Sequence, residues 1–185
     1  MKFKQKIFHS LTLTLVFLLA ACSTGAQEEQ HTGMNHEENG HMDHSSSGEV
    51  PKGLKEAESP AFEVGSKAII NTDHMEGMNG AEATIVGAFD TTVYAISYTP
   101  TTGGEQVENH KWIVHEEIKG AKEEPYEPGD KVAVEADHME GMEGAEATID
   151  SAEQTTVYMV DYSASTDGEL VKNHKWVTES ELSAR

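Results

Sequence analysis

Four of the ten histidines, His31, His36, His41 and His44, fall within 14 residues, with Met34 and Met42 interleaved among them. The residues around them are mostly Gln, Glu, Asn, Ser and Gly, and large apolar side chains are almost absent between Cys22 and Glu58. Such a stretch cannot bury enough surface to offset the entropy of ordering it, so residues 22–58 are expected to be a disordered tether. In a segment with no core, methionine has nothing to pack against, which leaves its thioether as the functional group. Thioether with imidazole suits Cu(I), imidazole with carboxylate suits Cu(II), and zinc or nickel would take the histidines with little use for methionine. His31, Met34, His36, His41, Met42 and His44 are therefore candidate copper ligands.

A second constellation occurs twice. Asp73-His74-Met75-Glu76-Gly77-Met78 returns as Asp137-His138-Met139-Glu140-Gly141-Met142. One histidine, two methionines and two carboxylates on a glycine-marked loop could close around a soft ion, which nominates His74, Met75, Met78, His138, Met139 and Met142. The competing reading is structural, with methionines capping a core and glycines shaping turns. A third run, Asn109-His110-Lys111-Trp112, returns as Asn173-His174-Lys175-Trp176. Trp112 and Trp176 are expected in the core. His110 and His174 are expected to be strand residues that could reach the methionine loop as secondary ligands. His115 becomes Glu179 in the second copy and is given no role. No Ser-His-Asp pattern, glycine-rich phosphate loop or His-Glu-x-x-His occurs, so no enzymatic activity is expected.

These motifs sit in an internal repeat. Residues 62–118 align with 126–182 at a constant offset of 64 without a gap, and 30 of the 57 positions are identical. Each copy reads as short strands. Lys67 to Asn71 is β-branched, Ala81 to Phe89 follows, and Tyr94, Ile96 and Tyr98 alternate with smaller residues. Pro100 to Gly104 is turn chemistry, and Val107 to Val114 is a further strand. Four or five strands in so short a repeat predict an all-β fold: a tandem pair of small barrels, at 59–121 and 122–185, after the His/Met-rich tether. The Val64-Gly65-Ser66-Lys67 opening and the Lys111-Trp112 close look like SH3-like or KOW-type barrels.

The N-terminus predicts where the protein works. Lys2, Lys4 and Lys6 precede an apolar run from Leu11 to Ala20 that is too short to span a bilayer. Leu19-Ala20-Ala21-Cys22 then resembles the lipobox of bacterial lipoproteins. The resemblance implies a signal peptide at 1–21, cleavage before Cys22, and lipid on its sulfur. Cys22 is the one cysteine of the chain, so an intrachain disulfide is excluded. The expected location is the extracellular face of the cell membrane. The net charge of −20, more negative still once the three lysines leave, repels nucleic acid and concentrates cations.

The Asp-His-Met-x-Gly-Met-x-Gly-Ala-x-Ala-Thr-Ile run and the Asn-His-Lys-Trp run together resemble the YdhK-like lipoproteins of Gram-positive bacteria. Within that family the chain is similar to surface copper-binding lipoproteins encoded beside copper-export ATPases. The resemblance covers signal, tether and both repeats. It implies extracytoplasmic copper binding and copper tolerance, with a copper-export ATPase or another envelope protein as partner. Copper, as Cu(I), is the expected bound ion. The alternative from another class is a non-catalytic cell-envelope interaction module, with the tether as a spacer. A copper chaperone serving an oxidase is a third reading.

Overall fold

The computed structural model describes residues 45–185. Among them the chain forms eight strands, two short 3-10 turns and no α-helix. β1 (Lys55–Glu56) precedes the first repeat, which supplies β2 (Lys67–Ile70), β3 (Glu82–Tyr98) and β4 (Val107–Val114), then a turn at His115–Glu117. The second repeat supplies β5 (Lys131–Ala133), β6 (Glu146–Ser163) and β7 (Leu170–Thr178), a turn at Glu179–Glu181, and β8 (Leu182–Ala184). The all-β class and the repetition are as the sequence predicts.

The closure of each repeat into a barrel is not. All eight strands join one open antiparallel sheet in the order β5-β6-β3-β2-β8, with β1 and β4 also on β3 and β7 also on β6. The reason lies at Asp90-Thr91-Thr92. This segment contains neither Gly nor Pro, and its β-branched threonines favour extended backbone. The expected strands on either side of it therefore fuse into the 17-residue β3, and Gln154-Thr155-Thr156 does the same for the 18-residue β6. Strands that long run past their own repeat and pair with each other along their length, from Ala83↔Tyr162 to Tyr98↔Ala147. Thr91 faces Thr155, its own counterpart at the offset of 64, so a pseudo-two-fold axis passes through that pair.

The cores cross the repeats as a consequence. One combines Ala68, Ile70, Met78, Ala83 and Ile85 with Tyr158, Val160, Tyr162 and Leu182. Its counterpart across the axis combines Tyr94, Ile96, Tyr98 and Ile113 with Val132, Val134, Met142, Ala147 and Ile149. Between them Phe89, Val93, Trp112, Val157, Met159 and Trp176 form a third cluster on the axis. Each lobe is thus the first half of one repeat packed on the second half of the other.

Residues 45–58, which composition assigns to the tether, lie against this fold. Lys55 and Glu56 pair with Asp90 and Phe89, Leu54 packs on the axial cluster, and Ser46 bonds to Lys172 and Asn173. One leucine on an apolar patch and a stretch of β3 that neither β2 nor β4 covers are enough to order a polar segment whose own composition argues against it.

Candidate metal centre

The loop after β2 carries His74 inward. The loop turns back at Gly77, whose φ of 80° is one that glycine adopts freely and where a Cβ would stand 2.9 Å from Ala164 Cβ. The second loop does the same at Gly141 against Pro100 and Thr102. Each loop is therefore braced by the hairpin of the other repeat.

His74 Nε2 lies 2.7 Å from Glu181 Oε1, and His138 Nε2 lies 2.8 Å from Glu117 Oε1. Both pairs cross the repeats. Each carboxylate is anchored on its other oxygen. Glu181 Oε2 accepts Trp112 Nε1–H at 3.0 Å and the Thr178 N–H at 3.0 Å. Glu117 Oε2 accepts Trp176 Nε1–H at 3.0 Å and the Val114 N–H at 3.0 Å. Burial by itself would raise the pKa of both acids, but the hydrogen bonds and the imidazole charge more than reverse this. Glu181 falls from 4.5 to about 2, and Glu117 also lies below the ordinary value.

With Nε2 engaged, the Nδ1 atoms of His74 and His138 are buried without a hydrogen-bond partner. The Nε2 of His110 is in the same condition, and its ring centroid stands 6.4 Å from that of His138. Burial, followed by the nearby charges of His138 and His74, lowers the His110 pKa to about 4, against an opposing pull from Glu117. Asn109 explains how the strand aims His110. It adopts φ 51°, which Asn tolerates, and the β3–β4 register shifts on both sides of the Ile96↔His110 pair. Asn173, at φ 52°, repeats the device beside His174.

A cavity of about 410 Å³ opens at this junction, lined by His74, Met75, Asp73 and Thr72 of one loop, His110 and its β4 neighbours, and Met139 of the other loop. The structure thus brings together His74, Met75, His110 and Met139 around one space, with His138 beside His110. It sets Met78 and Met142 apart, fully buried as the caps of the two cross-repeat cores. His174 is buried against Tyr162. Among the described residues no group of three or more His, Cys, Asp or Glu side chains is arranged to hold a metal ion, so a metal here would need the thioethers. Cys22, His31, Met34, His36, His41, Met42 and His44 lie outside the described residues.

The sequence analysis missed Glu117 and Glu181 as the partners of the histidines. One signal was available: they occupy equivalent positions, retained while His115 and Glu116 beside the first became Glu179 and Ser180 in the second.

An open all-β sheet built from two intertwined repeats, with histidines and methionines converging at the junction, defines the class of protein this is. The chain belongs to the family described as protein of unknown function DUF1541, which matches residues 64–115 and 128–179, one match per repeat. It is 55% identical over 188 residues to the uncharacterized protein YdhK of Bacillus subtilis, covering 100% of this chain and 92% of that one. A crystal structure of that DUF1541 protein superposes with a TM-score of 0.76 at 63% identity, covering 78% of this chain and 99% of the other. The solution structure of the YdhK C-terminal domain matches with a TM-score of 0.64 at 64% identity, covering 67% of this chain and 94% of that one.

Proposed function

We propose that this protein is a copper-binding lipoprotein on the extracellular face of the cell membrane, anchored through lipid on Cys22, that takes up Cu(I) at the cell surface and so contributes to copper tolerance. One observation carries the reading. Two imidazoles, each fixed through Nε2 by a carboxylate, keep a buried Nδ1 without a hydrogen-bond partner, and one of them, His74, lines a cavity with His110, Met75 and Met139. A carboxylate on the far nitrogen of a histidine is the usual outer support of a metal-bound imidazole, since it sets the tautomer and raises the basicity of the ligating nitrogen. Thioethers add neutral, soft donors that favour Cu(I) over Zn(II). His110 remains neutral down to about pH 4, so its ring is not closed to a cation by its own charge at neutral pH. The acidic surface gathers cations, and the His/Met tether offers further soft ligands of the same kind. A copper-export ATPase in the same membrane would supply the ion in the oxidation state these ligands prefer.

Competitive Cu(I) titration of the soluble mature chain against a chelator tests this. Replacing Met75 and Met139 by Leu is expected to weaken binding while circular dichroism stays unchanged. Replacing Met78 and Met142 by Leu, at under about 1.5 kcal/mol each for a volume-conserving core swap, is expected to leave it intact. Equal Cu(I) affinity in the two double variants would remove the cavity from the reading.

A further inference from the structure

The pseudo-two-fold axis gives the molecule two equivalent sheet edges, on β4 and on β7. At the offset of 64, Glu108-Asn109-His110 of β4 corresponds to Lys172-Asn173-His174 of β7. The edge of β7 carries residues 45–48. The Lys172 N–H donates to Ser45 Oγ at 3.1 Å, and the Ser46 N–H donates to the Lys172 carbonyl at 3.0 Å. Ser46 Oγ–H donates to the Asn173 carbonyl at 2.7 Å, and the Asn173 side-chain amide donates to the Ser46 carbonyl at 3.3 Å. Gly48 comes so close that a Cβ would stand 3.0 Å from the Asn173 amide group. This edge therefore takes a segment of small residues and holds it through backbone groups and one Asn side chain.

β4 is built to offer the same edge. Val107 pairs with Tyr98 as Val171 pairs with Tyr162, so Glu108 turns its N–H and carbonyl outward as Lys172 does. Asn109 holds φ 51° against 52° at Asn173. Its N–H donates to Ser97 Oγ at 3.1 Å, where that of Asn173 donates to Asp161 Oδ1 at 2.7 Å. Glu108 and Asn109 are both exposed, and among the described residues nothing bonds to their outer edge or to the Asn109 side chain. The duplication supplies no second arm, because the counterparts of residues 45–48 at the offset of 64 are Asn109 to Trp112, which lie in β4 itself. A sheet edge with free N–H and carbonyl groups is a template for an added strand.

Two features say which segment fits. The repeated Asn geometry asks for small residues, as on β7. The charge, by contrast, is reversed. Lys172 stands beside an arm flanked in sequence by Asp43 and Glu49, whereas the equivalent place on β4 is Glu108. Asp73 lies on the same cavity wall as Glu108, and Lys111, the one lysine there, is drawn over the Trp112 ring at 5.1 Å. We propose that the edge of β4 at Glu108 and Asn109 is a docking site for a basic, Ser/Gly-rich extended segment of an envelope partner protein, bound by strand addition as residues 45–48 are bound on β7. Glu108, Asn109 and His110 line the cavity together with His74, Met75 and Met139, so the docked segment lies across the cavity mouth. The partner docked there is the one that exchanges the ion with the cavity. That last step rests on the copper reading above, whereas the docking does not depend on metal. Anchorage of both proteins in one membrane raises their effective concentration, so a weak contact suffices.

The test begins without metal. The isotope-labelled soluble mature chain is titrated, to millimolar concentration, with an octapeptide whose Ser-Ser-Ser-Gly core is flanked by two lysines at each end, and followed by NMR. The peptide is expected to shift the backbone amides of Glu108, Asn109 and His110 and to leave those of Lys172 and Asn173, whose edge is occupied, unmoved. Glu108→Lys is expected to weaken the lysine-flanked peptide several-fold and to strengthen a glutamate-flanked one. Asn109→Gly, which keeps the left-handed backbone and removes the amide, is expected to weaken both. Both positions are exposed, and the amide spectrum of the remaining residues checks the fold. Absence of shifts at Glu108 and Asn109, unchanged affinity in both variants, or equal shifts from a lysine-flanked peptide with an all-proline core, which has no N–H to add to a sheet, overturns the docking site. In the Cu(I)-loaded chain the bound peptide is expected to slow release of the ion to a chelator several-fold, and unchanged release overturns its placement across the mouth. A chain that retains no Cu(I) refutes the copper reading and the exchange step, while the metal-free shifts still decide the docking.

Discussion

Replacing Glu181 by Gln isolates what one half-buried carboxylate does at the junction. Glu181 joins three parts of the molecule: His74 at 2.7 Å, Trp112 at 3.0 Å and the Thr178 N–H at 3.0 Å. Glutamine has nearly the same shape, but its amide NH2 must face one of these donors, and it carries no charge for the imidazole. The cost follows from proton linkage. The Glu181 pKa falls from 4.5 to about 2 on folding, and each unit corresponds to 1.36 kcal/mol, so the ionised carboxylate contributes about 3 kcal/mol to stability at neutral pH. Because the folded pKa is the lower one, that contribution is fully present above about pH 4.5 and is lost as the pH falls toward 2. Urea unfolding followed by circular dichroism at pH 7 should therefore show E181Q less stable than the unaltered chain by about 2–3 kcal/mol. The gap should narrow through pH 4 and nearly close at pH 2. Cu(I) affinity should drop about 10–100-fold, as it does when the outer partner of a ligating histidine is lost. A stability gap that stays constant from pH 7 to pH 2 would refute the argument, since it would show that the carboxylate charge is not what holds His74 and Trp112.

Trp176→Ala should destabilise the fold by about 3–5 kcal/mol in the same assay, because the indole is fully buried against Phe89 and its N–H is one of the anchors of Glu117. A cost near that of a surface substitution would contradict its place in the axial cluster. A protease site inserted between Ala121 and Glu124, all exposed, should allow cutting between the repeats without separating them, because every core draws on both. Elution of two separate folded halves on size exclusion would contradict the cross-repeat packing. Cys22→Ala should release the protein to the medium or leave an uncleaved precursor. A membrane-bound, lipid-labelled mature form of that variant would refute the anchor.

The parts of the fold set by local pattern were legible in the sequence. Val107–Val114 is a strand with the bounds that the preceding turn and the residues around Trp112 suggest. Tyr94, Ile96 and Tyr98 are all buried on one side, as their alternation requires. What could not be read locally was where the strands go next. Asp90-Thr91-Thr92 looks like a break on hydropathy alone, and its continuity depends on Gln154, Thr155 and Thr156 of the other repeat lying opposite. The same holds at the site. His74 and Met75 were visible as a motif, whereas the carboxylates that orient the histidines lie 64 residues apart on 3-10 turns that read as unremarkable acidic stretches. Met78 and Met142 show the converse. They share the motif with Met75 and Met139, yet a three-residue step around the loop glycine carries them into the cores.

The pseudo-two-fold axis through Thr91 and Thr155 links the duplication to the site. A single repeat contains a loop histidine, a turn glutamate and a tryptophan, but it cannot join them, because the loop histidine and the glutamate that holds it always come from opposite repeats. The tryptophan that shares the glutamate comes from the opposite repeat too. The crossing of β3 and β6 is what brings these groups within bonding distance. The donor cluster is therefore a product of the assembled pair of repeats rather than of either one, and it forms only when both lobes have folded. Any substitution that loosens the central ladder between Asp90↔Thr156 and Thr92↔Gln154 should weaken both lobes and the site together, without touching a single candidate ligand.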